Sequence, residues 1–181
     1  MIFYKSVELK NGEKCLLRSP GAGDAEAVLG TFIKTHGESD FMTTYPDECT
    51  LTAEKEQSYL ENKLVAEREI EIAADIGGRI VGTAGIDAVG KAEKLRHRAS
   101  FGIGIEKEFW GIGVGRALTL ACIECAKQAG YLQLELEVVA ANTRAIALYK
   151  SLGFTEYGRN PLGFRSRENG MQEIIAMRLE L

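Results

Sequence analysis

The sequence predicts an α/β fold in which one mixed sheet carries helices on both faces. Three observations predict it: alternating apolar and polar runs of strand length recur along the chain, cap residues open longer helical stretches, and one apolar strand runs straight into a glycine-rich turn. Phe3 to Leu9 and Lys14 to Arg18 flank Asn11-Gly12, a strong hairpin signal, so two antiparallel strands begin the fold. Pro20-Gly21-Ala22-Gly23 then breaks the strand. Asp24 is placed to cap a helix reaching about Thr35. Thr52, with Glu54 and Glu56 in the first turn, begins another running to about Arg68. Glu69 to Ile76 and Arg79 to Ala88 pair across Gly77-Gly78, and Arg98 to Ile105 is the next strand. A helix over 115–129 stops at Gly130 with Lys127 in its last turn. Leu132 to Val139 alternates as a half-buried strand does, a short helix follows over 144–151, and Phe154 to Arg159 and Glu173 to Leu179 close the sheet.

Composition narrows the function classes. The chain has 181 residues, 45% of them hydrophobic, and no linker-like run divides it, so residues 1–181 are expected to form a single domain. A net charge of −4 and a pI near 5.4 argue against a nucleic-acid partner, which would need a basic surface. No segment has the roughly 18 apolar residues of a membrane span, and Met1 to Leu9 lacks a basic start, so neither membrane nor export is expected. Cys15, Cys49, Cys122 and Cys125 are too scattered for a disulfide framework; reduced thiols and a cytoplasmic setting follow. Cys122 and Cys125 form a C-x-x-C in mid-helix without a second pair, which suits core packing better than a metal, and no metal is expected.

The chemistry is concentrated in Gly102-Ile103-Gly104-Ile105 and Trp110-Gly111-Ile112-Gly113-Val114-Gly115-Arg116. The first amides of a helix have no intrahelical acceptor, and Gly111, Gly113 and Gly115 carry no Cβ to hold an anion away. Arg116-Ala117 excludes a triphosphate loop ending in Lys-Ser/Thr, and Leu118 weakens a dinucleotide fingerprint. The plain alternative is a turn whose glycines only allow close strand-to-helix packing.

A second segment changes that balance: Leu132 to Val139 is followed by Asn142-Thr-Arg-Ala145-Ile-Ala-Leu-Tyr149-Lys-Ser-Leu-Gly153-Phe154. Together the two segments resemble the Gcn5-related N-acetyltransferase (GNAT) superfamily, matching its Arg/Gln-x-x-Gly-x-Gly loop and its Asn-x-x-Ala-x-x-x-Tyr-x-x-x-Gly-Phe signature over about residues 98 to 157. The resemblance implies a mostly antiparallel central sheet of about seven strands. It also implies acetyl-CoA as co-substrate and direct transfer to a primary amine, on a small molecule or a protein N-terminus. Gly111, Ile112, Gly113, Val114, Gly115 and Arg116 would hold the diphosphate. Ile103, Gly104 and Ile105 would bond the pantetheine arm as an added strand does, with a bulge at Gly104 freeing the backbone. Asn142 would cap the following helix or bond the pantetheine. Trp110 departs from the family's Arg/Gln and is expected to pack against the helix or the cofactor edge.

Tyr149 is implied as proton donor to the leaving thiolate; the alternative is a packed helix tyrosine. An amine near pKa 10 is mostly ammonium at neutral pH and needs a base. Glu137 matches the glutamate of the branch that acetylates N-terminal amines, while Glu135 fits a solvated strand position equally well. His97 is a lesser candidate. Ser100, at a position where other members carry glutamate, could only order a water. For the acceptor, the acidic loop from His36 to Glu48 suits a cation, whereas Arg159, Arg165 and Arg167 suit a carboxylate or phosphate, so no substrate follows. A non-catalytic acyl-CoA sensor, a transferase of another acyl group and a homodimer all remain compatible with these residues.

Overall fold

The computed structural model describes residues 1–181. Strands β1 (Tyr4–Glu8) and β2 (Lys14–Arg18) precede helices α1 (Ala25–Glu38) and α2 (Ala53–Val65). Then come β3 (Ile70–Ile76), β4 (Arg79–Ala88), β5 (Arg98–Ile105), α3 (Val114–Gln128), β6 (Gln133–Val139), α4 (Thr143–Ser151), β7 (Thr155–Ser166) and β8 (Gly170–Glu180). The sheet has eight strands rather than about seven, in the order β1-β2-β3-β4-β5-β6-β8-β7. Every neighbouring pair is antiparallel except β5 with β6.

Local chemistry accounts for most boundaries. The Thr52 side chain accepts the Lys55 N–H and caps α2, and Gly130, at φ 74°, lets the chain leave α3. Asp24 stands before α1 but does not bond its amides: its carboxylate accepts two hydrogen bonds from Arg18, each 2.8 Å, and one from the Gly21 N–H. Asn11-Gly12 does not form a two-residue turn either. The chain turns over Leu9 to Gly12, with Gly12 at φ 82° and the Leu9 N–H bonded to the Glu13 carbonyl, a longer hairpin loop with glycine in the left-handed region. β7 continues past Arg159, where the expected strand ends, through Asn160-Pro161 to Ser166. It is the edge strand, its register shifts between Asn160 and Phe164, and an edge bulge is where a residue lacking an N–H is tolerated.

Alternation along the strands sorts side chains between two unequal cores. Ile72, Ala84, Phe101, Leu136 and Met177 face α3 and α4 and belong to a cluster of 27 buried residues. Cys122 and Cys125 lie in that cluster, and burial raises both thiols, Cys125 to about 11. The opposite face is covered only in part. Ala25, Val28 and Leu60 of α1 and α2 pack on Ala73 and Ile80, leaving the β5–β6 end of that face to solvent and polar groups. No helix is long and apolar enough to cross a membrane.

Candidate active site

The parallel pairing of β5 with β6 lasts only from Arg98–Gln133 to Ser100–Glu135, after which the strands diverge. Beyond it, β5 from Phe101 to Ile105 still pairs with β4, so the backbone groups on its other side are left without a strand partner. No register shift occurs on β5. The expected bulge at Gly104 is absent, and the splay of β6 does what that bulge was expected to do.

The split opens into a cleft of about 720 Å³. Ile103, Gly104, Ile105, Gly111, Gly113, Gly115, Arg116, Asn142, Tyr149 and Glu137 all line it, so the structure brings the residues selected from sequence to one place. Ile112 and Val114 do not line it. Val114 is fully buried and Ile112 half-buried against the core, so only their backbones face the turn's work. Within that turn, residues 111 to 116 donate to no backbone acceptor outside α3, and as the first amides of the helix they have none within it. Gly111 and Gly113 adopt φ of 85° and 112°, conformations that suit glycine, while a Cβ on Gly115 would stand 3.2 Å from Ile105 and 3.4 Å from Leu148. Gly113→Ala is therefore expected to cost about 1–3 kcal/mol of stability, measurable as a lower Tm.

The cations around this turn come from distant segments. Lys10 lines the cleft because its N–H donates to the Ile112 carbonyl at 2.9 Å, fastening the first hairpin to the glycine turn. Arg116 reaches across to the Ser151 hydroxyl at 3.0 Å. Arg144 stacks 5.4 Å from the Trp110 ring, whose indole N–H donates to the Ile105 carbonyl at 2.7 Å. Trp110 thus ties the end of β5 to the turn. Lys10 and Arg144 escaped the sequence reading. Nothing local marks Lys10, which acquires its place only when the hairpin packs beside the turn.

Two titratable groups stand on opposite sides of the split. Tyr149 rises from α4 on the α3–α4 face, packed edge-on to Phe101 at 6.2 Å and against Phe154 at 5.7 Å. Its hydroxyl has no protein hydrogen-bond partner, and burial pushes its titration up to about 12. Glu137 lies on the α1–α2 face of β6, exposed, lining the cleft and free of any ion pair. Glu135, on the same face, is instead held by Arg98 and Gln133, and Arg98 lowers its carboxyl pKa. The pairing thus leaves Glu137, the glutamate the resemblance selected, free, and commits Glu135 to Arg98. Asn142 accepts the Ala145 N–H at 3.2 Å, so its amide acts as the cap of α4. His97 lies outside the cleft. Ser100 donates to the Asp87 carbonyl at 3.3 Å.

The loop between α1 and α2 meets the cleft through Ser39, Phe41, Met42 and Thr43. Its carboxylates, which the sequence suggested as cation contacts, are used elsewhere. Glu38 accepts the Lys107 N–H, Asp40 accepts from Ser166 and Asn169, and Asp47 pairs with Arg167. Arg167 is thereby occupied, and Arg159 is held by Glu156 and Glu173, while Arg165 is exposed outside the cleft.

Comparison with known proteins identifies the family. The model of the acetyltransferase (GNAT) family matches residues 36–154. The chain is 45% identical over 83 residues to the ribosomal protein bS18-alanine N-acetyltransferase of Escherichia coli K12, covering 45% of this chain and 54% of that protein. The chain spans about half the length, or less, of the curated relatives it matches. Among solved structures, a GNAT acetyltransferase from Streptococcus pneumoniae superposes with a TM-score of 0.88 at 27% identity, covering 92% of this chain and 99% of that one. The yncA protein of Salmonella typhimurium, solved with acetyl-CoA, shares the fold at a TM-score of 0.80 and 18% identity, covering 92% and 94% of the two chains. With two thirds of its length matched by the family model and its glycine turn and tyrosine helix gathered on one split sheet, the chain belongs to the GNAT acetyltransferase family.

Proposed function

We propose that this protein is an acetyl-CoA-dependent N-acetyltransferase that passes acetyl directly to a primary amine, carried by a small molecule or a peptide amino terminus. The observation that carries this reading is the row of unpaired N–H groups at residues 111 to 116 opening into the gap between β5 and β6. Such a helix entrance suits a diphosphate, and Lys10, Arg116 and Arg144 add positive charge around it. The edge of β5 at Ile103 to Ile105, without a strand partner and with only the Ile105 carbonyl taken by Trp110, suits the amides of a pantetheine arm laid along it. Bound there, acetyl-CoA supplies an activated thioester carbonyl.

The chain's own residues then divide the proton chemistry. Glu137 takes the proton that the attacking amine sheds as its nitrogen bonds to the acyl carbon. Tyr149 supplies one to the departing thiolate from the opposite face as the carbon–sulfur bond breaks. Because the two stand on opposite sides of the sheet, acceptor and coenzyme enter from different directions and meet only in the gap. The shared sheet supports reading residues 1–181 as one domain, and the free cysteines support a cytoplasmic setting.

Titration calorimetry with acetyl-CoA, paired with a mass-spectrometric screen of amines and peptides, tests the proposal. Binding in the micromolar range together with acetylation of at least one amine is expected. No heat at millimolar coenzyme would overturn the reading, and binding without any acetylation would favour an acyl-CoA sensor.

A further inference from the structure

The strand register lays out a row of residues across the α1–α2 face. Glu71 of β3 pairs with Gly85 of β4, and Gly85 pairs with Gly102 of β5. On the far side of the gap, Ser100 pairs with Glu135, so Glu137, two residues on, stands opposite Gly102. Cross-strand neighbours share a face. A carboxylate therefore stands at each end of a floor made of two glycines.

The floor depends on those glycines. A Cβ built on Gly85 would collide with Oε2 of Glu71, so only glycine lets that carboxylate lean over β4 toward the gap. A Cβ on Gly102 would meet nothing within 4 Å, and Gly102 lines the cleft. Beside the row, Met42 and Thr35 cover Gly104 and form one wall. The Tyr59 hydroxyl donates to Oε2 of Glu71 at 3.2 Å and holds it in place.

Charge is distributed unevenly along this face. Lys63 is committed to Asp87 and Glu69, Arg98 to Glu135, and Arg178 to Glu180. Glu71 and Glu137, the two ends of the row, have no ion-pair partner. A row with a carboxylate free of ion pairs at each end and two neutral glycines between, Gly102 and Glu137 lining the cleft and Glu71 half-buried beyond Gly85, matches an acceptor with positive groups at both ends of a short spacer.

Resting on the transferase reading above, we propose that Glu71 is a specificity-determining residue. It binds a second cationic group of the acceptor about 5–10 Å, one to two strand spacings, from the nitrogen that is acetylated. That chemistry is shared by aliphatic diamines and by peptide amino termini followed by a basic side chain. Burial pushes the Glu71 carboxyl up to about 7, so the cationic group binds more tightly as pH rises through neutrality. The titratable and charged groups facing it are Tyr59 and Lys63 of α2 and Asp87 of β4, with Cys122 of α3 buried on the other side of the sheet.

Calorimetry on the whole protein, with and without coenzyme A, would compare cadaverine with pentylamine and alanyl-arginine amide with alanyl-norleucine amide. In at least one pair the dication is expected to bind at least about tenfold more tightly than its monocationic partner. Glu71→Gln, which retains an acceptor for Tyr59, is expected to erase that difference while leaving the monocation's affinity within about twofold. If acetylation is measurable, the variant raises KM for the dication and leaves kcat in place. Equal affinity for both members of each pair, or an equal loss for both in Glu71→Gln, overturns the inference. The two pairs separate a diamine from a peptide as the source. Selective dication binding without acetylation would sink the transferase reading while sparing this one. Tyr59→Phe provides a second check: by loosening Glu71 it should weaken the dication alone.

Discussion

Replacing Tyr149 with phenylalanine is expected to lower kcat at least about tenfold, a floor below the roughly hundredfold or more that a positioned general acid typically contributes, with the dissociation constant of acetyl-CoA changed less than about twofold. The variant should fold normally. Phenylalanine keeps the ring contacts with Phe101 and Phe154, and the lost hydroxyl leaves no partner behind because it has none in the protein. Burial favours the neutral phenol and pushes its titration up to about 12, so the proton remains available across the working range. The wild-type rate should therefore show no alkaline decline caused by this group until the pH approaches that value. Steady-state kinetics beside calorimetry makes the comparison, and an unchanged kcat would remove Tyr149 from the chemistry.

Glu137→Gln is expected to have the larger effect at neutral pH, a loss of about a hundredfold in kcat/KM, within the range of a missing general base. The carboxamide fills the same space but cannot take the amine's proton. The direction with pH follows from the acceptor. As pH climbs toward roughly 10, the reference value of an alkyl ammonium, more amine arrives already neutral and the deficit narrows, shifting the optimum upward. A pH–rate profile of both proteins reads this directly. A deficit constant at every pH would exclude the base role. Glu135→Gln is the internal control, because that carboxylate is bound to Arg98 and its loss should alter stability before rate.

Element order was readable from the chain because its signals are local. Thr52 caps the helix that follows it, Gly130 ends α3, and alternation marks β4 and β5 with the boundaries observed. Reading failed where a segment's neighbours decide. The strand expected over Phe154 to Arg159 runs on through Pro161 because it lies at an edge, and sequence alone does not say which strand is outermost. The loop carboxylates at Asp40 and Asp47 look like acceptor contacts until the β7–β8 turn brings Ser166, Asn169 and Arg167 to them. Gly104 suggests a bulge, but the backbone of β5 is freed by β6 turning away, which no residue of β5 encodes.

By itself the sequence determined the glycine turn and the tyrosine helix, since unpaired N–H groups, glycine conformations and caps depend on residues within a few positions of one another. Only the tertiary structure decided which glutamate is free, that Lys10 and Arg144 join the cleft, that Tyr149 and Glu137 stand on opposite faces, and that Glu71 ends the glycine row. Those facts depend on strand register and splay, which are set by packing between segments far apart in the chain. A register shift of one residue would turn every one of these strand side chains to the other face.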